Sequence, residues 1–440
     1  MIGFAGLSHL GVNYSLATAA KGFDVRAYDP SPELVADLER GKLSVEEPGL
    51  RELFEANRHR LHCTIDPQDL SACELLFVSI DVKTDEDNRS DTGPLLALIR
   101  QIVPHLAKGA ALVVLSQVAP GFTRRLRGEL LASGAAPEIY YQVETLIFGR
   151  AVERALHPER YMVGAADPAK PLPEAFRRWH ESFHCPVLVM RYESAELAKI
   201  AINLFLVSSV STTNMLAEVC EQIGADWSEI APALRLDKRI GPNAYLNPGL
   251  GIAGGNLERD LLTVMQLAEG SDMDAGLVGA WIHNSLHRRG WLARTFQWAL
   301  QKRGVAPGAA VVAIWGLAYK ENTHSIKNSP SLAFLSSITL CRKRAYDPVV
   351  KLSVDAYPLF EQCVSAIECC QGADVLVIPT PWPEFRQADL KAVEAGMKSR
   401  IVLDPLGVLD GKTALALGFD YYRLGMAPLS AASSGKKVVK

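Results

Sequence analysis

The sequence predicts an α/β protein: two parallel sheets clothed in helices, joined by a helical middle. Three observations carry the prediction. Over residues 1 to about 190, short β-rich runs alternate with amphipathic helical stretches. From about 193 to 235 the strands vanish and one helical pattern runs on. Beyond about 305 the alternation returns. Strand–helix alternation of this kind places helices on both faces of a parallel sheet. A chain of 440 residues is also too long for one ordinary core.

The elements follow in order. "MIGFAGL", "DVRAYD", "LLFVSI", "ALVVLS" and "PVLVMR" are strand candidates, with helical stretches such as "SPELVADLERG" between them. "ESAELAKIAINLFLVSSVSTTNMLAEVCEQIG" exceeds an ordinary surface helix and is apolar nearly all round. It reads as a central helix packed against another subunit, or as a buried core helix within one. "AAVVAIWGL", "RAYDP", "ADVLVIPT" and "SRIVLD" supply the strands of the last domain. The expected boundaries are 1–190, 191–300 and 301–428, with 429–440, small and polar, as a disordered tail.

Composition narrows the class. Apolar residues make up 48% and charged residues 22%, the balance of a soluble globular protein. A net charge of −3 gives no reason to expect nucleic acid or an anionic membrane as partner. No apolar run approaches the ~20 residues that cross a bilayer. The apolar start lacks a basic segment and a cleavage site, and reads as a buried strand rather than a signal peptide. Eight cysteines without CxxC pairs point to reduced thiols in the cytoplasm. The ten histidines show no HExxH pairing, so no metal is expected. The acidic stretch "DVKTDEDNRSD" (81–91) lacks EF-hand spacing and reads as a solvated loop.

"IGFAGLSHLG" sets Gly6, Ser8 and Gly11 in the G-x-G-x-x-G frame directly after a strand, with Leu10 in the helical turn that follows. Gly6 makes the tight turn and Gly11 lets helix and strand approach; the helix N-terminus offers its N–H groups to a pyrophosphate. Ser8 departs from the frame, since its Cβ crowds the second glycine position. Asp29 closes the second strand 23 residues after Gly6. An acid there bonds a ribose 2′-OH and favours NAD over NADP, although Arg26 nearby is of the type that accepts a 2′-phosphate. The N-terminal domain is therefore expected to be of Rossmann type and to bind NAD.

"ESAELAKIAINLF", "DKRIG", "NPGLGIAGGNLERD", "WGLAYKENTHSIKNSPS", "AYDP" and "PTPWPEF" occur in that order, and through them the chain resembles the UDP-glucose/GDP-mannose dehydrogenase family. The resemblance implies an N-terminal NAD domain, a central helical dimerisation region and a C-terminal Rossmann-like domain for the nucleotide-sugar. It carries Lys199, Asn203, Glu144 and Asp260 over as catalytic residues, with Glu144 also facing substrate. Tyr245, Asn247, Gly249, Gly251 and Lys320 are carried over to substrate binding, and Ser116 and Gln117 to the cofactor side. Arg239 matches an arginine that reaches the sugar across a dimer interface. Lys199 and Asn203 are four apart and share a helix face.

The resemblance breaks at the thiol. The family oxidises C6 twice, and a cysteine captures the intermediate aldehyde. In "GLGIAGGNLERD" that position is Asn256, whose amide lone pair is delocalised, and no cysteine occurs between Cys220 and Cys341. Arg259 replaces the family lysine. The arginine-bearing C-terminal segment becomes "DPLGVLD", with Leu406 and Gly407, which is expected to make room for a longer sugar. Three functions remain open. One is a single two-electron oxidation of a hydroxyl at or near C6 of a UDP- or GDP-sugar, in specialised sugar biosynthesis. Another is a four-electron oxidation with water in place of sulfur. The last is a silent paralogue that binds NAD or nucleotide-sugar.

Overall fold

The computed structural model describes residues 1–85, 89–134, 137–253 and 256–430. They form two compact units, Met1–Ile202 and a second beginning at Asn203. The first is built on eight strands: β1 (Ile2–Ala5), β2 (Val25–Tyr28), β3 (Leu61–Thr64), β4 (Leu75–Val78), β5 (Ala111–Val114), β6 (Glu138–Gln142), β7 (Tyr161–Ala165) and β8 (Val187–Arg191). Their order is β3-β2-β1-β4-β5-β6-β7-β8, parallel except where β7 runs antiparallel to β6. The order reverses between β1 and β4, the switch point of a doubly wound sheet, where ligands bind beyond the strand ends. β1, β4 and β5 are buried along their whole length, as strands covered on both faces must be. Phe4 stacks on Phe77 at 4.9 Å, and Trp179 closes that layer with its indole N–H on Thr18 Oγ1 at 3.0 Å.

The second unit repeats the plan with six strands: β9 (Val311–Trp315), β10 (Arg342–Tyr346), β11 (Phe360–Gln362), β12 (Val375–Val377), β13 (Ile401–Leu403) and β14 (Asp420–Tyr422). All are parallel, in the order β11-β10-β9-β12-β13-β14. The likeness extends to detail. Gly6 after β1 and Gly316 after β9 have φ of 97° and 101°. An aspartate follows the second strand of each sheet and accepts backbone N–H groups from the glycine turn: Asp29 from Leu7, and Asp347 from Leu317 and Ala318.

Every strand expected from sequence is present, and the sheets add β3, β6, β7, β11 and β14. The helical stretch expected over 193–235 is two helices, Tyr192–Ile223 and Trp227–Leu236. Gly224 turns the chain at φ 78°, and the Asp226 carboxylate caps the second helix through Ser228 N at 2.8 Å. The longer helix also corrects the reading that no apolar stretch reaches bilayer length. One 18-residue window of it has a mean hydropathy of 1.5, enough by length and composition to cross a membrane. Its apolar residues are interleaved with Ser, Thr and Asn, so no continuous run betrays it. Leu197, Phe205, Met215, Val219 and Ile223 are exposed along it.

The first two residues of the expected tail belong to the fold. Leu429 exchanges two backbone hydrogen bonds with Tyr421, and Ser430 Oγ donates to Asp420 Oδ1 at 2.6 Å. The rest of the expected tail, 431–440, lies outside the described residues.

Candidate functional site

In the first unit the fingerprint is built as a cradle. A Cβ on Gly11 would stand 1.8 Å from the Gly6 carbonyl oxygen, so the helix His9–Ala20 touches the end of β1 through that hydrogen alone. A Cβ on Gly6 would press on the Ile80 backbone at 3.0–3.2 Å. Leu10 is buried in the first helical turn. The Ser8 hydroxyl donates to Ser79 O and accepts from Asp81 N, both at 3.0 Å, so it is taken up by the chain's own backbone. Asp29, 8% exposed, accepts one N–H on each oxygen, from Leu7 at 2.8 Å and Ser31 at 2.9 Å. A carboxylate has about four acceptor sites, so a ribose hydroxyl can still be bound. Ser116 Oγ donates to Ile80 O at 2.6 Å, and Gln117 is half-buried beside it. This crowded glycine turn, with a helix N-terminus and an unsaturated acid, fits NAD. Gly6, Ser8, Leu10, Gly11 and Asp29 would hold it there.

The same unit holds a second polar centre. Lys199 Nζ lies 2.9 Å from Glu144 Oε1 and donates to the Glu144 carbonyl at 3.1 Å. Glu144 Oε2 accepts from Leu146 N at 2.9 Å. Both side chains are under a fifth exposed. Glu144 and Lys199, each carried over singly by the resemblance, thus meet in the fold.

In the second unit Asn203 Nδ2 donates to Asp260 Oδ2 at 2.5 Å, and Arg259 Nε faces Asp260 Oδ1 at 3.4 Å. Asp260 is almost wholly buried. Asn256 is the first residue of the helix Asn256–Ala268 and is exposed. A side chain there sits beside unsatisfied N–H groups, where an anion is favoured. Gly254 and Gly255 of the same loop lie outside the described residues, as do three residues of the acidic stretch, 86–88.

The rest of this glycine-rich loop serves the fold. Gly251 has φ 82°, and a Cβ on it would meet the Ser285 carbonyl oxygen at 2.4 Å. Its lack of a side chain is thus explained by the helix Gly276–Arg289, not by a sugar. Gly249 N donates to Asn214 Oδ1 at 2.8 Å. Asn247 Oδ1 accepts from Arg235 Nη2 at 3.0 Å, and the Tyr245 carbonyl from Thr213 Oγ1 at 3.1 Å, with the Tyr245 ring half exposed. Arg239 is 89% exposed and pairs only locally with Asp237 at 2.7 Å. Lys320 stands over the Tyr319 ring at 5.6 Å. The space expected at Leu406 and Gly407 is not open. A Cβ on Gly407 would meet the Arg423 guanidinium at 2.5–3.0 Å, and Leu406 packs against the core. An arginine thus reaches this loop from the end of β14.

Among the described residues no three His, Cys, Asp or Glu side chains gather as metal ligands. A cavity of about 400 Å³ in the second unit, lined by Trp291, Trp298, Arg294, Arg423 and Glu221 among others, contains none of the expected site residues. Sequence reasoning also missed Glu47 and His9. They lie 38 residues apart and share a 2.8 Å hydrogen bond in the first unit.

Comparisons with known proteins agree along the whole chain. Three domain models of the UDP-glucose/GDP-mannose dehydrogenase family match in order: its NAD binding domain over 1–184, its central domain over 193–284 and its UDP binding domain over 313–411. The chain is 28% identical to the UDP-glucose 6-dehydrogenase of Pseudomonas aeruginosa and 27% to that of Rickettsia typhi. Each alignment covers 96% of the chain and at least 96% of the relative. Solved structures share the fold: a UDP-D-ManNAc dehydrogenase from Pyrococcus horikoshii (TM-score 0.83, 23% identity, 97% and 99% covered) and a UDP-glucose dehydrogenase from Pyrobaculum islandicum (0.83, 24%, 97% and 98%).

Proposed function

The chain belongs to the UDP-glucose/GDP-mannose dehydrogenase family of NAD-dependent nucleotide-sugar oxidoreductases. On that premise we propose that it oxidises its sugar once, by two electrons, at a hydroxyl at or near C6. The sequence carries the reading: by the resemblance Asn256 falls where the family keeps its thiol, and no cysteine lies within the next 84 positions. Without a thiol the aldehyde of a first oxidation is not captured as a thiohemiacetal. If the oxidised carbon is secondary, the product is a ketone with no hydrogen left to give. The bound nicotinamide supplies the hydride acceptor.

The protein's part is proton transfer and positioning. By the family likeness, Lys199 and Asp260 are each assigned to proton transfer, directly or through water. Glu144 keeps the Lys199 ammonium in place through the 2.9 Å contact, and Asn203 orients the Asp260 carboxylate. Asn256 hydrogen-bonds a sugar hydroxyl. The match to a UDP binding domain supports a UDP-sugar as the first substrate class to try, with Lys320 at its nucleotide end. The exposed apolar residues of Tyr192–Ile223 support a homodimer, in which the outward Arg239 serves the neighbouring site. Eight cysteines without a disulfide among the described residues suit the cytoplasm.

Incubation of UDP- and GDP-sugars with NAD, counting NADH per sugar and weighing the product, tests this. The expected result is one NADH and a mass loss of two hydrogens. Two NADH with an acid product would replace it with the four-electron reaction, using water in place of sulfur. NAD binding without any turnover would make the chain a silent paralogue.

A further inference from the structure

The loop that carries Glu144 is fastened to the cofactor helix of its own unit by one buried carboxylate. Glu47 sits between the helices Pro32–Glu39 and Leu50–Asn57, with its side chain 1% exposed. Its Oε1 accepts from His9 Nε2 at 2.8 Å and from Gly149 N at 3.1 Å, and its Oε2 from Ala151 N at 3.2 Å. An ionised carboxylate only accepts, so Nε2 of His9 carries the proton in this pair. His9 is the first residue of the helix His9–Ala20, and its ring lies on Phe148 at 4.4 Å between centroids. The segment 144–151 is thus held at three places by one helix or by its partner Glu47. Its first residue in turn holds Lys199.

We propose that Glu47 is a positioning residue that couples occupancy of the cofactor cradle to the placement of the Glu144–Lys199 pair. The inference rests on the role assigned to that pair above. A pyrophosphate at the helix N-terminus meets the first turn, which is where His9 stands. Glu47 is buried and bonded on both oxygens, so it cannot exchange these partners for water when His9 moves. It carries the displacement to the N–H groups of residues 149 and 151, at the far end of the Glu144 loop. Packed elements of this kind pass on small shifts because they do not deform continuously. The competing account is that Glu47 merely caps the short helix Ala151–Leu156.

The test compares wild type with Glu47→Gln and Glu47→Asp, using the full chain, NAD and an amine-acylating reagent read at Lys199 by peptide mass spectrometry. In the wild type, saturating NAD is expected to change the Lys199 labelling rate about fivefold or more. In Glu47→Gln at saturating NAD the change should shrink to less than about twofold. With a turned-over nucleotide-sugar, kcat should fall about tenfold while the KM for the sugar stays within about twofold, and Glu47→Asp should recover part of the loss. His9→Gln reaches the same joint from the other side and should reproduce the labelling result should Glu47→Gln fail to fold. A Glu47→Gln protein that melts earlier but keeps the wild-type kcat and NAD response would leave only a cap and overturn the proposal. So would a wild type whose Lys199 ignores NAD. If no nucleotide-sugar is oxidised but the labelling response is present in wild type and lost in the variant, the coupling stands and the proposed reaction falls.

Discussion

Replacing Gly11 by Ala adds one methyl group at the closest approach in the first unit. That carbon would lie 1.8 Å from the Gly6 carbonyl oxygen and 2.9 Å from both the Gly6 carbonyl carbon and Ser79 Oγ. Two of those three atoms are backbone, and they are anchored. Gly6 N donates to Tyr28 O at 2.9 Å, and Ser79 Oγ donates to Gly6 O at 2.9 Å. To reach even 3.0 Å the helix His9–Ala20 must retreat by about 1.2 Å, and an ordinary contact needs more. Overpacking of this kind costs roughly 1–3 kcal/mol. For a unit of 202 residues that lowers the melting temperature by roughly 3–10 °C. A helix end displaced by about 1 Å should weaken NADH binding by about a hundredfold. Fluorescence titration with NADH and thermal melting read both effects. Gly128→Ala is the control: nothing lies within 4 Å of its Cβ, and alanine should stabilise the helix Phe122–Ala132 by about 1 kcal/mol. A Gly11→Ala protein that binds NADH within about twofold of wild type and melts normally would falsify the reading of this turn as the cofactor cradle.

Asn256→Cys places a thiol at a helix N-terminus, where the thiolate is favoured. If the product is a ketone, NADH per sugar stays at one; a second NADH with an acid product would show that the oxidised carbon is primary. Asp260→Asn should lower kcat by about a hundredfold or more. NADH affinity should be unchanged, since the fingerprint belongs to the other unit; a matching loss of affinity would argue against a proton-transfer role. His180 is buried against Gln142 Oε1 at 2.8 Å, and burial lowers its imidazole from 6.5 to about 3. The unfolded chain takes up that proton near 6.5 and the folded chain only near 3. Its stabilisation is therefore complete above pH 6.5 and falls by about 1.4 kcal/mol per pH unit between 6.5 and 3. Urea unfolding of wild type and His180→Gln across that range should show a shallower pH dependence in the variant.

The strands legible in the sequence are the central ones, because burial on both faces leaves continuous apolar runs such as "ALVV" and "VVAIW". Most of those it hid are edge, polar or very short. β3 reads "LHCT" and lies at the rim with one buried residue, and β11 and β14 have three residues each. β7 is buried along its whole length, and it pairs antiparallel with β6 after a connection that carries the helix Ala151–Leu156, outside the plain strand–helix alternation. Asp29 and the glycine turn were visible because their spacing is local. Glu144 and Lys199, 55 residues apart, were each named through family likeness, and only the fold brings them together. Glu47 was invisible because "SVEEPGL" is a loop by composition, and only the fold turns its carboxylate inward. Gly251 was carried over to substrate binding by likeness, and only the fold shows the Ser285 carbonyl that leaves no room for a side chain there.

Asp347, described above as the counterpart of Asp29, separates the two sheets more sharply than their shared order suggests. It receives Leu317, Ala318 and the Trp382 indole on one oxygen, and Val349 and Val350 on the other, and it is wholly buried. Five donors exhaust a group with about four acceptor sites, so nothing is left for a sugar hydroxyl. The same scaffold has thus been used twice with opposite outcomes: one acid kept in reserve for a visitor, the other sewn into its own turn. The second sheet must grip a nucleotide by some grammar other than that of the first. A chain carrying two such scaffolds should therefore saturate with a single equivalent of NAD.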